Sequence, residues 1–182
     1  MKDWLTTIER KILSSDYWWK NRELEISKLF AWNCDNNLDI LNIWAWASSE
    51  HVKNVICSKV NKIIQIDRVN LPWIDKVADA TNLPFETESF DIVLFLRVLH
   101  HIEDFNKALE EAYRVTKEWW TILLSEPHPK FVYLQDFIWL WKHPKKVVSR
   151  NDIIEFWKNN NLKVNELGRL FFFYYGFQLT KI

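Results

Sequence analysis

An acid that closes a short apolar strand can accept hydrogen bonds from both hydroxyls of a ribose, and Asp67 ends the run Lys62–Asp67 in that way. It lies 23 residues after Trp44, in Ile40-Leu41-Asn42-Ile43-Trp44-Ala45-Trp46-Ala47-Ser48, which reads as a buried strand entering a tight turn. A strand, turn and helix in that order place backbone amides and a helix N-terminus at the carboxyl edge of a sheet, where α/β folds bind nucleotides. Such turns are glycine-rich, because a Cβ would block φ > 0 and hold the backbone away from a ligand. Here Trp44 and Trp46 flank Ala45. Taken literally, Trp-Ala-Trp is an aromatic core turn and Asp67 an exposed turn acid. With glycine at 44 and 46, the pair becomes a nucleotide site. His100 and His101 offer proton transfer, since an imidazole pKa near 6.5 suits deprotonating a hydroxyl or amine. Histidines that cap the following helix are the competing reading, and the promiscuity of short motifs favours it. Adjacent side chains seldom converge on a metal, and no carboxylate–histidine spacing supports one. No metal site is expected.

Tryptophan recurs where glycine is wanted. In Arg114-Val115-Thr116-Lys117-Glu118-Trp119-Trp120-Thr121 a helix end runs at once into a strand, and glycine ordinarily terminates such a helix in αL geometry. The chain has 12 Trp and 2 Gly in 182 residues. Average usage of about 7% would give roughly 13 glycines, close to the two counts combined. The expectation is that most of these tryptophans are glycines in the natural protein, from a UGA codon translated under the wrong table. Gly168 and Gly176 would then use ordinary glycine codons. Trp44, Trp46, Trp119 and Trp120 carry the strongest demand. Trp73 follows Leu71-Pro72 in a turn where Pro-Gly is common, and Trp18, Trp19 and Trp32 sit in turn-like contexts. Trp139 and Trp141 read as aromatic anchors over a substrate, and Trp4 and Trp157 suit helices.

The elements that must position these residues follow from periodicity. Residues 1–30 have Leu5, Ile8, Ile12 and Leu13 spaced for one helical face. Strands are expected at 39–43, 62–67, 77–80, 90–96, 121–125, 162–167 and 170–180. Helices are expected from Ser48 or Ser49 to about Lys59, over 103–117 with acids first and a lysine last, and from the Ser149–Asp152 capping box to about Asn160. Strand and helix alternate, which argues for a sheet with helices on both faces. His128–Val148, aromatic and basic by turns, is the least assignable stretch.

Length suits one domain, residues 1–182. Lys plus Arg and Asp plus Glu are 24 each, so no global field draws nucleic acid or an anionic membrane, and a small, roughly neutral ligand suits the balance. Cys34 and Cys57 form no disulfide or zinc pattern. The opening residues are no signal peptide, and no apolar run approaches the ~20 residues of a membrane span. A cytoplasmic protein is expected; the oligomeric state is not legible.

Asp79-Ala80-Thr81-Asn82-Leu83-Pro84-Phe85, then Ser89-Phe90-Asp91, Leu99-His100-His101-Ile102-Glu103-Asp104, Arg114 to Trp120 and Ser125-Glu126-Pro127 occur in that order. Together they resemble class I S-adenosylmethionine-dependent methyltransferases of the small methyltransferase-domain type, across roughly residues 38–182. Asn42 stands where that family often has an acid, and Ser48 where a third glycine is common. The resemblance implies a Rossmann-like three-layer α/β/α sandwich with a mostly parallel seven-stranded sheet and an antiparallel last strand. It implies a helical cap over 1–35, a core over 38–182 and a substrate-side insertion at 128–148. Asp67 would hold the ribose with Arg68 beside it, Asp79 the adenine amino group and Ala80 the ring. Trp44, Ala45 and Trp46 would pass the methionine moiety, and Arg97 would stand near it. His100 or His101 would be the base for a small-molecule methyl acceptor. A nicotinamide-dependent oxidoreductase shares the turn and the ribose acid, but not Leu-Pro-Phe or Leu-His-His. A catalytically dead scaffold follows if the tryptophans are genuine.

Overall fold

The computed structural model describes residues 37–43, 60–139, 147–160, 162–171 and 174–181. Strands β1 (Leu38–Ile43), β2 (Val60–Asp67), β3 (Lys76–Val77) and β4 (Phe90–Leu96) precede a 3₁₀ turn at Leu99–His101. Helix α1 (Phe105–Val115), β5 (Thr116–Pro127), α2 (Pro129–Trp139), α3 (Arg150–Asn159), β6 (Lys163–Phe171) and β7 (Tyr174–Thr180) follow. The seven strands form one sheet in the order β3-β2-β1-β4-β5-β7-β6. β1 to β5 pair in parallel, and β7 enters antiparallel between β5 and β6. The expected seven-stranded α/β architecture is the one observed.

Burial explains the order. β4 is almost continuously apolar, with six of its seven residues buried, because a central parallel strand is covered on both sides. Leu41, Ile43, Val93, Phe95, Ile122 and Leu124 point into one cluster with α1 and α3. Ile40, Ile92, Leu94 and Leu123 alternate to the opposite face and are equally inaccessible. The apolar closing strand is an interior one: Phe177 and Leu179 are buried, and β7 is bonded on both edges.

The caps set where the helices begin. Asp104 accepts from the Lys107 amide at 3.1 Å, so α1 starts after Glu103 and Asp104 rather than containing them. Its last turn carries Arg114, while Lys117 lies in β5 and binds Asp91 at 2.8 Å. The reciprocal Ser149–Asp152 box opens α3 as expected. Trp157 is fully buried on α3, edge-on to Phe156, with its indole Nε1 lacking a hydrogen-bond partner among the described residues.

In residues 128–148, which sequence left unassigned, α2 occupies the first half. Three expectations need correction. Residues 77–80 are not a strand: β3 has two residues, and Asp79 bridges Asn82 in a turn. α1 does not end on an αL residue, because Thr116 is extended (φ −80°, ψ 131°) and its hydroxyl donates to the Ala112 carbonyl. The glycine-like conformation comes three residues later, at Trp119 (φ 67°), where β5 loops out between Thr116 and Thr121. Trp73 occupies the turn closed by the Ile74 amide to the Leu71 carbonyl, but it is not among the positive-φ residues, so that turn does not require glycine. The remaining tryptophan expectations, at Trp4, Trp18, Trp19, Trp32, Trp44, Trp46 and Trp141, and the side chains of Trp120 and Trp139, fall outside the described residues, as do the helices expected at 1–30 and 48–59.

Candidate functional site

At the carboxyl edge of the sheet a cleft of about 230 Å³ is lined by Ile43 of β1, Ile66 and Arg68 around the end of β2, Ala78–Thr81, and His101–Asp104. The strand order reverses between β1 and β4, and the carboxyl edge at such a switch point is where open α/β sheets bind ligands. Of the residues singled out from sequence, Arg68, Asp79, Ala80 and His101 line it.

Asp67 adjoins the cleft between two lining residues and is not an exposed turn acid: it is 2% exposed. Its Oδ1 accepts from the Val69 amide at 2.9 Å, while its Oδ2 is buried with no hydrogen-bond partner among the described residues. A buried carboxylate oxygen without donors is costly, and a ribose supplies the hydroxyls it lacks. On β1, buried Asn42 has its Nδ2 similarly unpartnered. These orphaned groups fit an adenosine cofactor held at this edge.

Asp79 is ready-made as an acceptor. The Thr81 amide and hydroxyl bind its Oδ1 at 2.9 and 2.8 Å, and Arg68 Nε stands 3.6 Å from its Oδ2. The Thr81 backbone bond, outweighing the opposing effect of partial burial, holds the carboxyl below its ordinary value. It is therefore ionised at neutral pH and can receive an exocyclic amine.

Leu83-Pro84-Phe85 is a clamp. Arg114 of α1 donates to the Phe85 and Leu83 carbonyls at 2.8 and 3.0 Å, and Glu111 accepts from the Leu83 amide at 2.7 Å. The two side chains also bind each other. Each satisfies backbone groups that the loop cannot satisfy internally, so the 78–85 segment is fixed against the sheet. Asp91 similarly ties β1 to β4 at the opposite edge, through the Asp39 amide.

Arg97 ends β4 in the left-handed region (φ 58°), its amide donating to the Ser125 carbonyl at 2.7 Å. It does not line the cleft. Strain of about 1–3 kcal/mol at such a residue concentrates at functional edges. The two histidines separate. His100 is buried and directs Nδ1 to Glu126 Oε2 at 2.7 Å, while the cap of the following helix is Asp104 and not the expected histidine. His101 turns to the cleft. Sequence did not single out Thr81, Glu111 or Glu126. Thr two residues after Asp is an Asx-turn signal, and a glutamate inside an apolar strand end was the available clue to the third. Trp44, Ala45 and Trp46 lie outside the described residues.

Fold and crevice define an α/β domain with a cleft at the carboxyl edge of its sheet, and the comparisons point to a class. Residues 45–119 match the family model described as "Methyltransferase domain". A demethylmenaquinone methyltransferase of Streptomyces avermitilis is 38% identical over 69 residues, which is 37% of this chain and 30% of that relative. The match thus spans less than a third of the relative's length. A SAM-dependent methyltransferase from Aquifex aeolicus has a TM-score of 0.67 at 15% identity, with 94% of this chain and 96% of that one covered. A protein of Pyrococcus horikoshii reaches 0.73 at 13% identity, with 93% of each covered. At such identities the two structures speak to fold. Residues 45–119 are thus similar to a methyltransferase domain, and the fold is that of the solved SAM-dependent methyltransferase from Aquifex aeolicus.

Proposed function

We propose that the domain transfers the methyl group of S-adenosylmethionine to a small-molecule acceptor. The observation that carries the reading is the buried Oδ2 of Asp67 beside the cleft, which has no donor among the described residues. Asp67 holds the ribose hydroxyls, Asp79 receives the adenine amine, and Ala80 packs against the ring. The relative that acts on demethylmenaquinone supports an organic acceptor of small size. Bound, the cofactor supplies an electrophilic sulfonium methyl. The chain supplies alignment and water exclusion, which carry most of the acceleration in a direct displacement. Where the acceptor must lose a proton, His101 is the residue in the cleft wall to take it, at its Nδ1 or Nε2. Residues 1–35 and 128–148 choose the acceptor.

The tryptophan proposal belongs to the same reading: the 44–46 turn admits the cofactor when positions 44 and 46 are glycine. Calorimetry with S-adenosylhomocysteine tests both. The chain as written should bind weakly or not at all, and the Trp44→Gly/Trp46→Gly chain should bind. Equal affinity would refute the steric account. Failure of the glycine chain to bind, together with tight binding of a nicotinamide dinucleotide, would replace the methyltransferase reading.

A further inference from the structure

We propose that Glu126 is a positioning residue: from behind the cleft, its carboxylate sets the 98–101 turn and the ring of His100, and so the face that His101 presents to the bound molecules. The inference rests on the reading of the cleft as a methyl-transfer site.

Glu126 stands at the end of β5 with no exposed surface. An ionised carboxylate there is costly unless several donors surround it. One turn provides four donors. The Val98 and Leu99 amides reach Oε1 at 2.8 Å each, and the His100 amide (3.4 Å) and Nδ1 (2.7 Å) reach Oε2. The caps of α1 and α3, Asp104 and Ser149, do similar backbone work from exposed or half-buried positions. Glu126 does it from the interior. A second strand flanks it too: its register partner on β7 is Tyr175, whose hydroxyl is pushed above its ordinary value by burial first, then by Glu126 and by Asp152 on α3. That phenol stays protonated and donates to the Val148 carbonyl.

The other side of the same turn is the cleft wall. His101 is the first of four consecutive lining residues, with Ile102, Glu103 and Asp104 after it. Facing Glu126, Nδ1 of His100 carries a proton, which fixes that ring's orientation. The rings of His100 and His101 lie 4.1 Å apart at 39°. Orientation set at Oε2 is passed by this contact, and by the shared backbone, to His101. Glu126 touches neither cofactor nor acceptor in this account; it acts through its neighbours.

Glu126→Gln keeps Oε1 as an acceptor and replaces Oε2 by an amide donor facing two donors of His100. It leaves those buried donors without an acceptor, so a purely structural role predicts lower thermal stability and an unmoved His101. The positioning role predicts a switch of the His100 tautomer and a displaced His101 signal in ¹⁵N-imidazole NMR of the full chain. In the Trp44→Gly/Trp46→Gly background, S-adenosylhomocysteine affinity should stay unchanged, as for His101→Ala, because Glu126 acts through the histidines and not on the cofactor. His100→Phe, which retains ring volume but not the Nδ1 proton, should displace the His101 signal too, and it serves if Glu126→Gln does not fold. His101 signals unmoved in the folded variants would overturn the proposal. Failure of the glycine background itself to bind counts against the methyl-transfer reading, whereas the imidazole signals decide this inference in either case.

Discussion

At Trp119 the backbone asks for a residue without a Cβ, and a pair of substitutions isolates that demand. The indole is 70% exposed and φ is 67°, while the amide donates to the Lys181 carbonyl at 2.8 Å, which pins the conformation. Removing the side chain loses whatever the partly covered indole contributes, but Trp119→Ala and Trp119→Gly lose it equally. The difference between them is local. Alanine in the left-handed region bears about 1–2 kcal/mol of steric cost that glycine escapes. Glycine in turn loses about 0.5–1 kcal/mol more backbone entropy on folding. The balance favours glycine by about 0.5–1 kcal/mol, the reverse of the usual order. At Trp73, which is not in the positive-φ region, the usual order should hold, with alanine better by about 0.5–1 kcal/mol. Urea unfolding of the four variants, with equal m-values, reads both signs. Alanine equal to or better than glycine at 119 would refute the reasoning.

In the glycine-restored chain, Asp67→Ala should lose about 1.5–3 kcal/mol of S-adenosylhomocysteine binding, and Asp79→Ala about 0.5–1.5 kcal/mol, by calorimetry. His101→Ala should leave that affinity unchanged in the same titration series. Trp157→Ala should cost about 3–5 kcal/mol of stability because it empties a sealed core site; a near-neutral result by urea unfolding would sink its assignment as genuine. Glu111 is held below its ordinary carboxyl value by Arg114 first and the Leu83 amide after it. Since the folded value is the lower one, its stabilisation is complete at neutral pH and fades below about pH 5. Glu111→Gln should therefore flatten the acid limb of a melting-temperature profile. The codons at Trp44, Trp46, Trp119 and Trp120 should be identical and not UGG; sequencing the gene decides this.

The parallel core was legible because burial on both faces leaves a plain signature. Phe90–Leu96 could only be a covered strand, and Ser149 with Asp152 could only open a helix. Boundaries were less legible where side chains override pattern. Asp104 caps α1 and so removes Glu103 from it, and the Thr116 hydroxyl helps to end the helix before Lys117. Residues 78–82 look strand-like in composition, yet Asp79 bonds its own backbone two residues on and bends the chain. Asp67, Asp79 and His101 stood out in the sequence because each lies near a strand end or a motif. Glu126 was not singled out: an acid at an apolar strand end was a clue to burial, but Ser-Glu-Pro does not tell which amides it reaches. The glycine demand at Trp119 was legible in kind, but its cause, a looped-out segment of β5 and not a helix end, required the register.

A structure of the glycine-restored chain with S-adenosylhomocysteine bound tests the central claim most directly. The account predicts both ribose hydroxyls on the Asp67 carboxylate, one of them on Oδ2, at roughly 2.5–3.0 Å. A ligand bound elsewhere, or seated in the cleft with Asp67 Oδ2 still lacking a donor, would contradict it.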